Sequence, residues 1–394
     1  MDWEQADTVA VDLCRRFIRL PSLSGEEGDL AAAVVGAARE LGFDAAWTDR
    51  LGNVIARIGS GGRPRILFDA HLDTVGVAAP EVWNTDPFGG EVRAGRIYGR
   101  GAADMKGALA AMLVGITAVA ETVRSGGGTV YVSGTVMEEV FEGVALGVVL
   151  DEVEPDIVVI GEATGLNLNI GQRGRAEIAI VTRGRAAHSS KPEVGINAVQ
   201  KMLPVIQALN QLPLRTDDCL GPALLELTDI ISEPYPGASV VPEKCRVTYD
   251  RRLLPGETPA SVLEPIAELL AALRQRDSAF QGEAVCVVAT GTTYTGEKLR
   301  ARRFFPAWCF EQEAPFVQRA LRALRDAGLP AETGYYSFCT NGSEAPGAGE
   351  SPPWGSVPAG KNWPISPTNI SKPASSWPPS AVTRPWRRPW RAHK

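Results

Sequence analysis

Five acidic side chains and one histidine in the first half of the chain could together bind metal ions and activate water for hydrolysis. They are His71, Asp73, Asp104, Glu138, Glu139 and Glu162. Most of them follow short apolar runs typical of strands, such as RILFDA before the histidine and DIVVI before the last glutamate. Because an open α/β sheet places its sites at the carboxyl ends of its strands, we expect these side chains to converge. Adjacent carboxylates at such a strand end repel each other unless a cation or solvent screens them.

Each motif also has a structural alternative when it is taken alone. The pair His71-x-Asp73 could be purely structural, and Asp104, just before a predicted helix, could be only its N-cap. Residues 99–107 resemble half of a dinucleotide-binding fingerprint, but Asp104 occupies the third glycine position and no strand leads into the run. The concentration of four motifs at strand ends of one sheet favours a metal site.

The residue types predict different roles for the neighbouring glutamates. Since side chains alternate along a strand, Glu138 and Glu139 cannot do the same job, so one could bind metal while the other acts as general base on a water. One imidazole and three carboxylates form a hard N/O donor set that suits zinc and also manganese or cobalt. If Asp104 bridges, two ions would lie about 3.5–4 Å apart, an arrangement that polarises a carbonyl and lowers the pKa of water.

The elements that must position these residues alternate between helix and strand over the first 170 residues. This alternation predicts an α/β domain with a mixed, mostly parallel sheet and helices on both faces. Helices are predicted at 2–20, at 24–42 behind a Ser24/Glu27 capping box, and at 106–124, with strands at 53–58, 65–70, 129–136 and 156–160.

The pattern then changes to strand, helix, strand, strand, helix, strand, which is the ferredoxin-like order. These elements are predicted at 176–182, 195–210, 222–232, 245–253, 259–275 and 284–289. A further helix is predicted at 315–327, and its pattern is again that of the first 170 residues. We therefore predict an α+β domain at 173–290 inserted into a catalytic domain of residues 1–172 and 291–342. The segment 343–394 is Pro-, Trp- and Arg-rich without any period, which predicts disorder.

Composition and charge narrow the class of partner. A net charge of −6 without a polybasic run argues against nucleic acid or an anionic membrane and favours a small-molecule substrate. The chain has neither an apolar run of membrane-spanning length nor a basic secretory start, so a cytoplasmic location is expected. The six cysteines lie far apart without a CxxC pair, which predicts reduced and mostly buried thiols.

The motifs AHLDTV, GRGAADMKG, MEE, GEAT and GRAAHSSKPEVGINA occur in an order that resembles the M20 metallopeptidase and deacylase family. The resemblance covers residues 1–342 and implies a zinc-peptidase-like fold, two divalent ions, and cleavage of the amide C–N bond of an N-acyl amino acid or small peptide. It implies that His71, Asp104 and Glu162 bind one ion, that Asp104 and Glu139 bind the second, and that the peptide after Asp104 is cis. Glu138 would be the general base, and Asp73 would orient His71.

The inserted domain resembles the lid and dimerisation domain of this family, which implies a homodimer. His188 resembles the histidine that reaches the partner's site and stabilises the oxyanion. Asn197 and Arg252 resemble groups that hold the substrate or its carboxylate. A surface ion pair remains the alternative for Arg252. The runs YTGEKLRARRFFPAWCFEQE and SFCTNGS further resemble the selenium-metabolism-linked hydrolase branch.

The sequence departs from the family after Gly342. A histidine ligand for the second ion is expected there in a GFGPG-like context, and His393 lacks that context. We interpret the tail as a one-base frame slip between codons 342 and 350, since the frame one base upstream permits IPTVGFGPGREELAHLTDEYIE. If the tail is genuine, the alternative is a catalytically impaired relative that serves as a binding or dimerisation module, with weak metal retention.

Overall fold

The computed structural model describes residues 3–344 and 366–367. Eight α-helices lie within these residues: α1 (Trp3–Ile18), α2 (Gly28–Glu40), α3 (Gly107–Ala118), α4 (Ala120–Gly126), α5 (Val144–Val153), α6 (Ala198–Leu209), α7 (Pro259–Arg276) and α8 (Pro315–Asp326).

The strands of three or more residues in the same ranges are β1 (Ala45–Thr48), β2 (Val54–Ile58), β3 (Arg65–His71), β4 (Glu91–Arg93), β5 (Arg96–Tyr98), β6 (Thr129–Thr135), β7 (Ile157–Ile160), β8 (Leu168–Gln172), β9 (Gly174–Arg183), β10 (Leu224–Glu233), β11 (Lys244–Leu253), β12 (Gln281–Cys286), β13 (Val288–Thr292), β14 (Lys298–Arg302) and β15 (Thr333–Tyr336).

The first sheet has the order β1-β2-β6-β3-β7 and carries the predicted motifs at one edge. β3 pairs in parallel with both β6 and β7, while β1, β2 and β6 pair antiparallel. Parallel pairing brings the carboxyl ends of β3, β6 and β7 to the same edge of the sheet. His71, the turn 137–139 and Glu162 lie at or just after those three ends, so the topology itself brings the predicted motifs together.

Helices cover this sheet on both faces, as the short β-branched runs predict. On one face, α1, α2 and α3 pack on alternate strand residues that include Ala56, Ala70 and Val132. On the other face, α5 packs on Leu67 and Val158, which point the opposite way. The prediction of a mixed α/β layer structure is confirmed.

The region that follows, which we call the inserted domain (173–290), folds as an antiparallel sheet in the order β10-β11-β9-β12 with α6 and α7 on one face. This is the ferredoxin-like arrangement that the element order predicts. Strand β8 precedes this domain and pairs with β15 and with Trp308–Cys309, which follow it. The chain therefore leaves the first domain, forms the second, and returns to the first.

Two local predictions are wrong. The helix predicted over 106–124 is divided at Val119, whose backbone leaves the helical region, and the two parts are bent by 59°. The Ser24/Glu27 capping box does not form, because no side chain caps α2 and both residues bond elsewhere. Among the described residues, no single helix is long and apolar enough to cross a membrane; only the bent pair Ala102–Ala118 with Ala120–Gly126 passes by length and composition.

The packed chain continues slightly beyond the predicted boundary at Gly342. Asn341–Glu344 form a helical turn, and Ser343 is buried against Gln172. Further on, Ser366–Pro367 pairs with β8. The rest of the predicted disordered tail, including His393 and the proposed frame slip, lies outside the described residues.

Candidate metal centre

His71 lies at the carboxyl end of β3 at the centre of a group of carboxylates, and its ring is buried. Nε2 of His71 lies 2.8 Å from Oδ1 of Asp104, 3.5 Å from Oε1 of Glu162 and 4.0 Å from Oε2 of Glu138. Two sets of ligand atoms each fall within 4.8 Å of one another: His71 with Glu138 and Glu162, and His71 with Asp104 and Glu139. The six residues of the sequence prediction thus meet at one place, but Asp104 reaches it from the turn before α3 and not, as predicted, from a strand end of the same sheet.

The donor set fits divalent cations. It offers one imidazole and several carboxylates, most of them buried, and such concentrated negative charge needs a compensating cation. The Asp104 carboxylate is 61% exposed, and His71 rather than Asp104 is the residue common to the two sets. Glu138, the predicted base, lies in the compact set with His71 and Glu162 rather than apart from the predicted ligands.

The pKa values reflect this charge imbalance. Burial raises the pKa of Glu138 well above its usual range, and nearby Glu162 adds to the effect. Burial likewise raises the pKa of Glu162 to about 7 and that of Glu139 above its usual value. Burial by itself lowers the pKa of His71, but its hydrogen bond with Asp104 and the surrounding carboxylates raise it well above normal. A cation placed among these groups would stabilise the carboxylates in their ionised form.

The turn that carries both glutamates (137–139), which we call the glutamate turn, is held by side chains from distant parts of the chain. The Met137 N–H donates to Oε1 of Glu27 at 3.0 Å. The N–H groups of Glu138 and Glu139 donate to the two carboxylate oxygens of Asp73 at 3.0 and 3.1 Å. Met137 has a φ of +61°, a left-handed conformation that is costly for a residue with a side chain. These bonds hold the turn in that conformation.

Asp73 contacts His71 mainly through its backbone, and its nearby carboxylate raises the pKa of His71. Nδ1 of His71 lies 2.8 Å from the main-chain carbonyl oxygen of Asp73, whereas the Asp73 carboxylate is 3.6 Å away. That carboxylate also accepts a hydrogen bond from the Ser24 hydroxyl at 2.6 Å. The backbone of Asp73 thus orients the imidazole, and its side chain orients the turn of Glu138 and Glu139.

A second buried network lies behind the same strand ends. Asn341 donates from Nδ2 to Asp69 Oδ2 and Thr135 Oγ1, both at 2.8 Å, and accepts from the Gly143 N–H at 2.8 Å. Asp69 also accepts from the Ser133 hydroxyl at 2.6 Å. Asn341 therefore ties the ends of β3 and β6 to the segment after the glutamate turn.

Two features of the backbone lie next to the predicted metal ligands Asp104 and Glu162. The peptide bond between Asp104 and Met105 is cis, as the resemblance implies. A Cβ atom at Gly161, immediately before Glu162, would clash with the Cε methyl groups of Met112 and Met105, so these two side chains would have to move to admit a larger residue.

The three residues assigned to the inserted domain lie apart from this group. His188 is exposed and its Nδ1 lies 2.8 Å from Ser190 Oγ. Asn197 caps α6, accepting from the N–H groups of Val199 and Gln200. Arg252 pairs with Asp250 at 2.7 Å, which is the ion pair left open as its alternative. None of the contacts found for these three residues in the described part of one chain reaches the metal ligands.

Sequence reasoning missed several supporting residues. Ser24 and Glu27 match a capping pattern, and that local signal concealed their bonds to Asp73 and Met137. Asn53 accepts from the Val136 N–H at 2.9 Å, and Asn341 bonds to Asp69. No local pattern in the sequence points to these two asparagines.

Comparison with known proteins settles the family. Residues 170–277 match the family model described as a peptidase dimerisation domain. The chain is 32% identical over 334 residues to the uncharacterized protein YgeY of Escherichia coli (strain K12), covering 83% of this chain and 81% of that protein. It is also 31% identical over 268 residues to a succinyl-diaminopimelate desuccinylase of Cereibacter sphaeroides, covering 64% of this chain and 70% of the relative. The chain belongs to the M20 family. As a member of it, the protein is a metal-dependent amide hydrolase in the general sense.

Solved M20-type structures have the same fold. Aminopeptidase PepT from Bacillus cereus aligns with a TM-score of 0.64 at 18% identity, covering 91% of this chain and 89% of that one. The YXEP protein of Bacillus subtilis, described as a dinuclear metal-binding peptidase of the M20 family, aligns with a TM-score of 0.59 at 15% identity, covering 86% and 84%. At these sequence identities the alignments establish only the fold of this M20 protein.

Proposed function

We propose that this M20 protein hydrolyses the amide C–N bond of an N-acyl amino acid or small peptide with two divalent metal ions, zinc by preference. The observation that carries the proposal is the meeting of His71, Asp104, Glu139 and Glu162 around one buried place, with Glu138 beside them. The relative named a succinyl-diaminopimelate desuccinylase supports the choice of an N-acyl amino acid.

In this mechanism Glu138 moves the proton. When bound, the metal ions would supply a Lewis acid for the carbonyl and lower the pKa of a water. His71, Asp104, Glu139 and Glu162 would hold them. A Glu138 carboxylate oxygen then takes the proton from the attacking water and later donates it to the leaving amine. The Glu138 carboxylate lies 4.0 Å from Nε2 of His71, beside the predicted ligands, which places it where it can hold that proton between the two steps.

The rest of the proposal concerns a second subunit and the substrate. We propose a homodimer through the inserted domain, in which His188 serves the partner's site as an oxyanion donor. The exposure of His188 supports this, because its ring is free to meet another surface. Asn197 and Arg252 are proposed to bind the substrate, although Asn197 Oδ1 and the Arg252 guanidinium already have partners within the chain.

The test is an assay of metal-free and Zn²⁺-, Co²⁺- or Mn²⁺-loaded protein on a panel of N-acyl amino acids and dipeptides. The expected result is turnover of at least one of these substrates that chelation abolishes and metal restores. Turnover that survives exhaustive chelation would refute the proposal. His188→Ala should reduce turnover while leaving Zn²⁺ affinity unchanged, since it touches none of the ligands.

A second candidate is a catalytically impaired relative that binds or dimerises. It is favoured by the absence, within residues 3–344, of any imidazole besides His71 in the candidate metal groups. Re-sequencing the coding DNA across codons 335–394 separates the two. A missing or extra base would restore a histidine-bearing frame and favour the hydrolase. An unchanged frame, together with metal binding but no turnover on the whole panel, would favour the impaired relative.

A further inference from the structure

Two cysteines from different domains lie next to each other at the surface, and neither belongs to the candidate metal groups. Sγ of Cys219 and Sγ of Cys309 lie 2.9 Å apart, although 90 residues separate them along the chain. Cys219 is exposed and Cys309 is half-buried, whereas the other four cysteines are buried. The sequence predicted mostly buried thiols, so this pair is the exception.

The two thiols belong to different structural units. Cys219 lies in the tight turn between Thr216–Asp217 and Gly221–Pro222, where its N–H donates to Asp217 Oδ1, and the next residue, Leu220, packs into the core of the inserted domain. Cys309 belongs to the strand Trp308–Cys309 that pairs with β8 of the first domain. A bond between them would join the two domains directly.

The pair also flanks the connection between the domains. Arg173 is the one residue between β8 and β9, and its guanidinium donates twice to the carbonyl oxygen of Leu220, at 2.6 and 3.0 Å. The Tyr335 hydroxyl, from β15, makes a hydrogen bond with the Cys219 thiol. The Cys219 turn is therefore held against the linker and against the first domain even in the reduced state, so that little movement is needed to form a bond of about 2.05 Å.

We propose that Cys219 and Cys309 form a reversible disulfide that ties the inserted domain to the first domain, with a low-molecular-weight disulfide such as oxidised glutathione as oxidant. A thiol metal site is the other use of such a pair, but the candidate metal groups among the described residues contain no cysteine. An exposed disulfide is of the labile kind that low-molecular-weight thiols can reduce again.

The disulfide forms in two steps of thiol–disulfide exchange. The Cys219 thiolate attacks one sulfur of oxidised glutathione, which breaks that S–S bond, forms a mixed disulfide on Cys219 and releases one glutathione thiolate. The Cys309 thiolate then attacks Sγ of Cys219, which forms the intramolecular disulfide and releases the second glutathione. Two thiols of the protein are oxidised and one molecule of oxidised glutathione is reduced.

The order of attack follows from the surroundings of the two sulfurs. Cys219 is the accessible thiol, so it meets the oxidant first. Burial raises the pKa of Cys309, and the hydrogen bond with Cys219 raises it further. In the reduced protein that hydrogen bond runs from the Cys309 thiol to Cys219 Sγ, so Cys309 already lies beside the sulfur that it attacks in the second step.

The test uses the full chain, incubated with glutathione redox buffers, blocked with an alkylating agent and digested without reduction. Wild-type protein is expected to yield one cross-linked peptide pair containing Cys219 and Cys309, which dithiothreitol removes. Cys309→Ser should accumulate one glutathione on Cys219, and Cys219→Ser should leave Cys309 essentially unmodified. Cys286→Ser is the matched control and should behave as wild type.

Amide hydrogen exchange tests the tether itself. Oxidation should slow the exchange of the linker around Arg173 in wild type and leave it unchanged in Cys219→Ser. Stable glutathione on wild-type Cys219 without the cross-linked peptide would overturn the disulfide. A disulfide that leaves linker exchange unaltered would overturn its role as a tether.

Discussion

Replacement of Asp73 by asparagine changes one carboxylate oxygen to an NH₂ group. This carboxylate bonds to Ser24 and to the glutamate turn, which lie 49 to 66 positions away along the chain. The Asp73 carboxylate is fully buried and accepts three hydrogen bonds, from the N–H groups of Glu138 and Glu139 and from the Ser24 hydroxyl. The asparagine side chain keeps one oxygen but presents an NH₂ group to a donor. At least one of these three donors therefore loses its acceptor, and the remaining hydrogen bonds no longer have a charged acceptor.

The magnitude follows from the number of bonds affected. A hydrogen bond to a charged group contributes about 1.5–3 kcal/mol, and a buried donor left without an acceptor costs a comparable amount. We expect Asp73→Asn to lower the free energy of unfolding by about 2–4 kcal/mol. The resulting shift of the glutamate turn should weaken Zn²⁺ binding by about 10- to 100-fold, as is typical when a residue that supports metal ligands is lost.

The assay pairs chemical denaturation with a competitive Zn²⁺ titration and with amide hydrogen exchange. Because His71 bonds to the main-chain oxygen of Asp73, which asparagine retains, the loss should act through the turn. The N–H groups of Glu138 and Glu139 should therefore exchange faster in the variant. Ser24→Ala is the control: it removes only the hydroxyl bond to the Asp73 carboxylate, and we expect a cost of about 1.5–3 kcal/mol with Zn²⁺ affinity nearly unchanged. Unchanged exchange at the turn in Asp73→Asn would refute this reasoning.

Three further predictions concern the base, the second network and the metal. Glu138→Gln should reduce turnover by about 10²- to 10⁴-fold while Zn²⁺ affinity falls far less, and equal turnover in the two proteins would remove Glu138 as the base. Asn341→Ala breaks three buried hydrogen bonds and should lower the free energy of unfolding by about 3 kcal/mol in urea titrations, so a cost below about 1 kcal/mol would contradict the network. Removal of the metal by chelation should lower the free energy of unfolding by about 2.7 kcal/mol, compared with protein in free Zn²⁺ at about one hundred times its Kd. An identical denaturation midpoint with and without metal would count against binding to the folded state.

The strand-end motifs could be predicted from sequence because each is a local signal. A short β-branched run followed by a polar residue identifies the end of a strand, and the rule for open α/β sheets brings such ends together. The βαββαβ order of the inserted domain is local in the same way. These signals were sufficient to predict that His71, Glu139 and Glu162 lie together, whereas Asp104 comes from the turn before α3, outside that sheet.

The supporting contacts could not be predicted, because they join residues that are far apart in the chain. Met137 and Glu27 are separated by 110 positions, and Asn341 and Asp69 by 272. Periodicity and capping patterns contain no information on such pairs, and the Ser24/Glu27 pattern even favoured the wrong local bond. The same limit explains why the bonds from the glutamate turn to the Asp73 carboxylate, 65 and 66 positions away, were not predicted.

Binding of metal through the group centred on His71 can be measured by a Zn²⁺ titration. Metal-free wild type and His71→Ala would be titrated with Zn²⁺, and the bound metal counted by mass spectrometry after gel filtration. Since His71 belongs to both candidate sets of ligands, the account predicts that the variant loses the Zn²⁺ that wild type retains. Equal Zn²⁺ content and affinity in the two folded proteins would contradict the account.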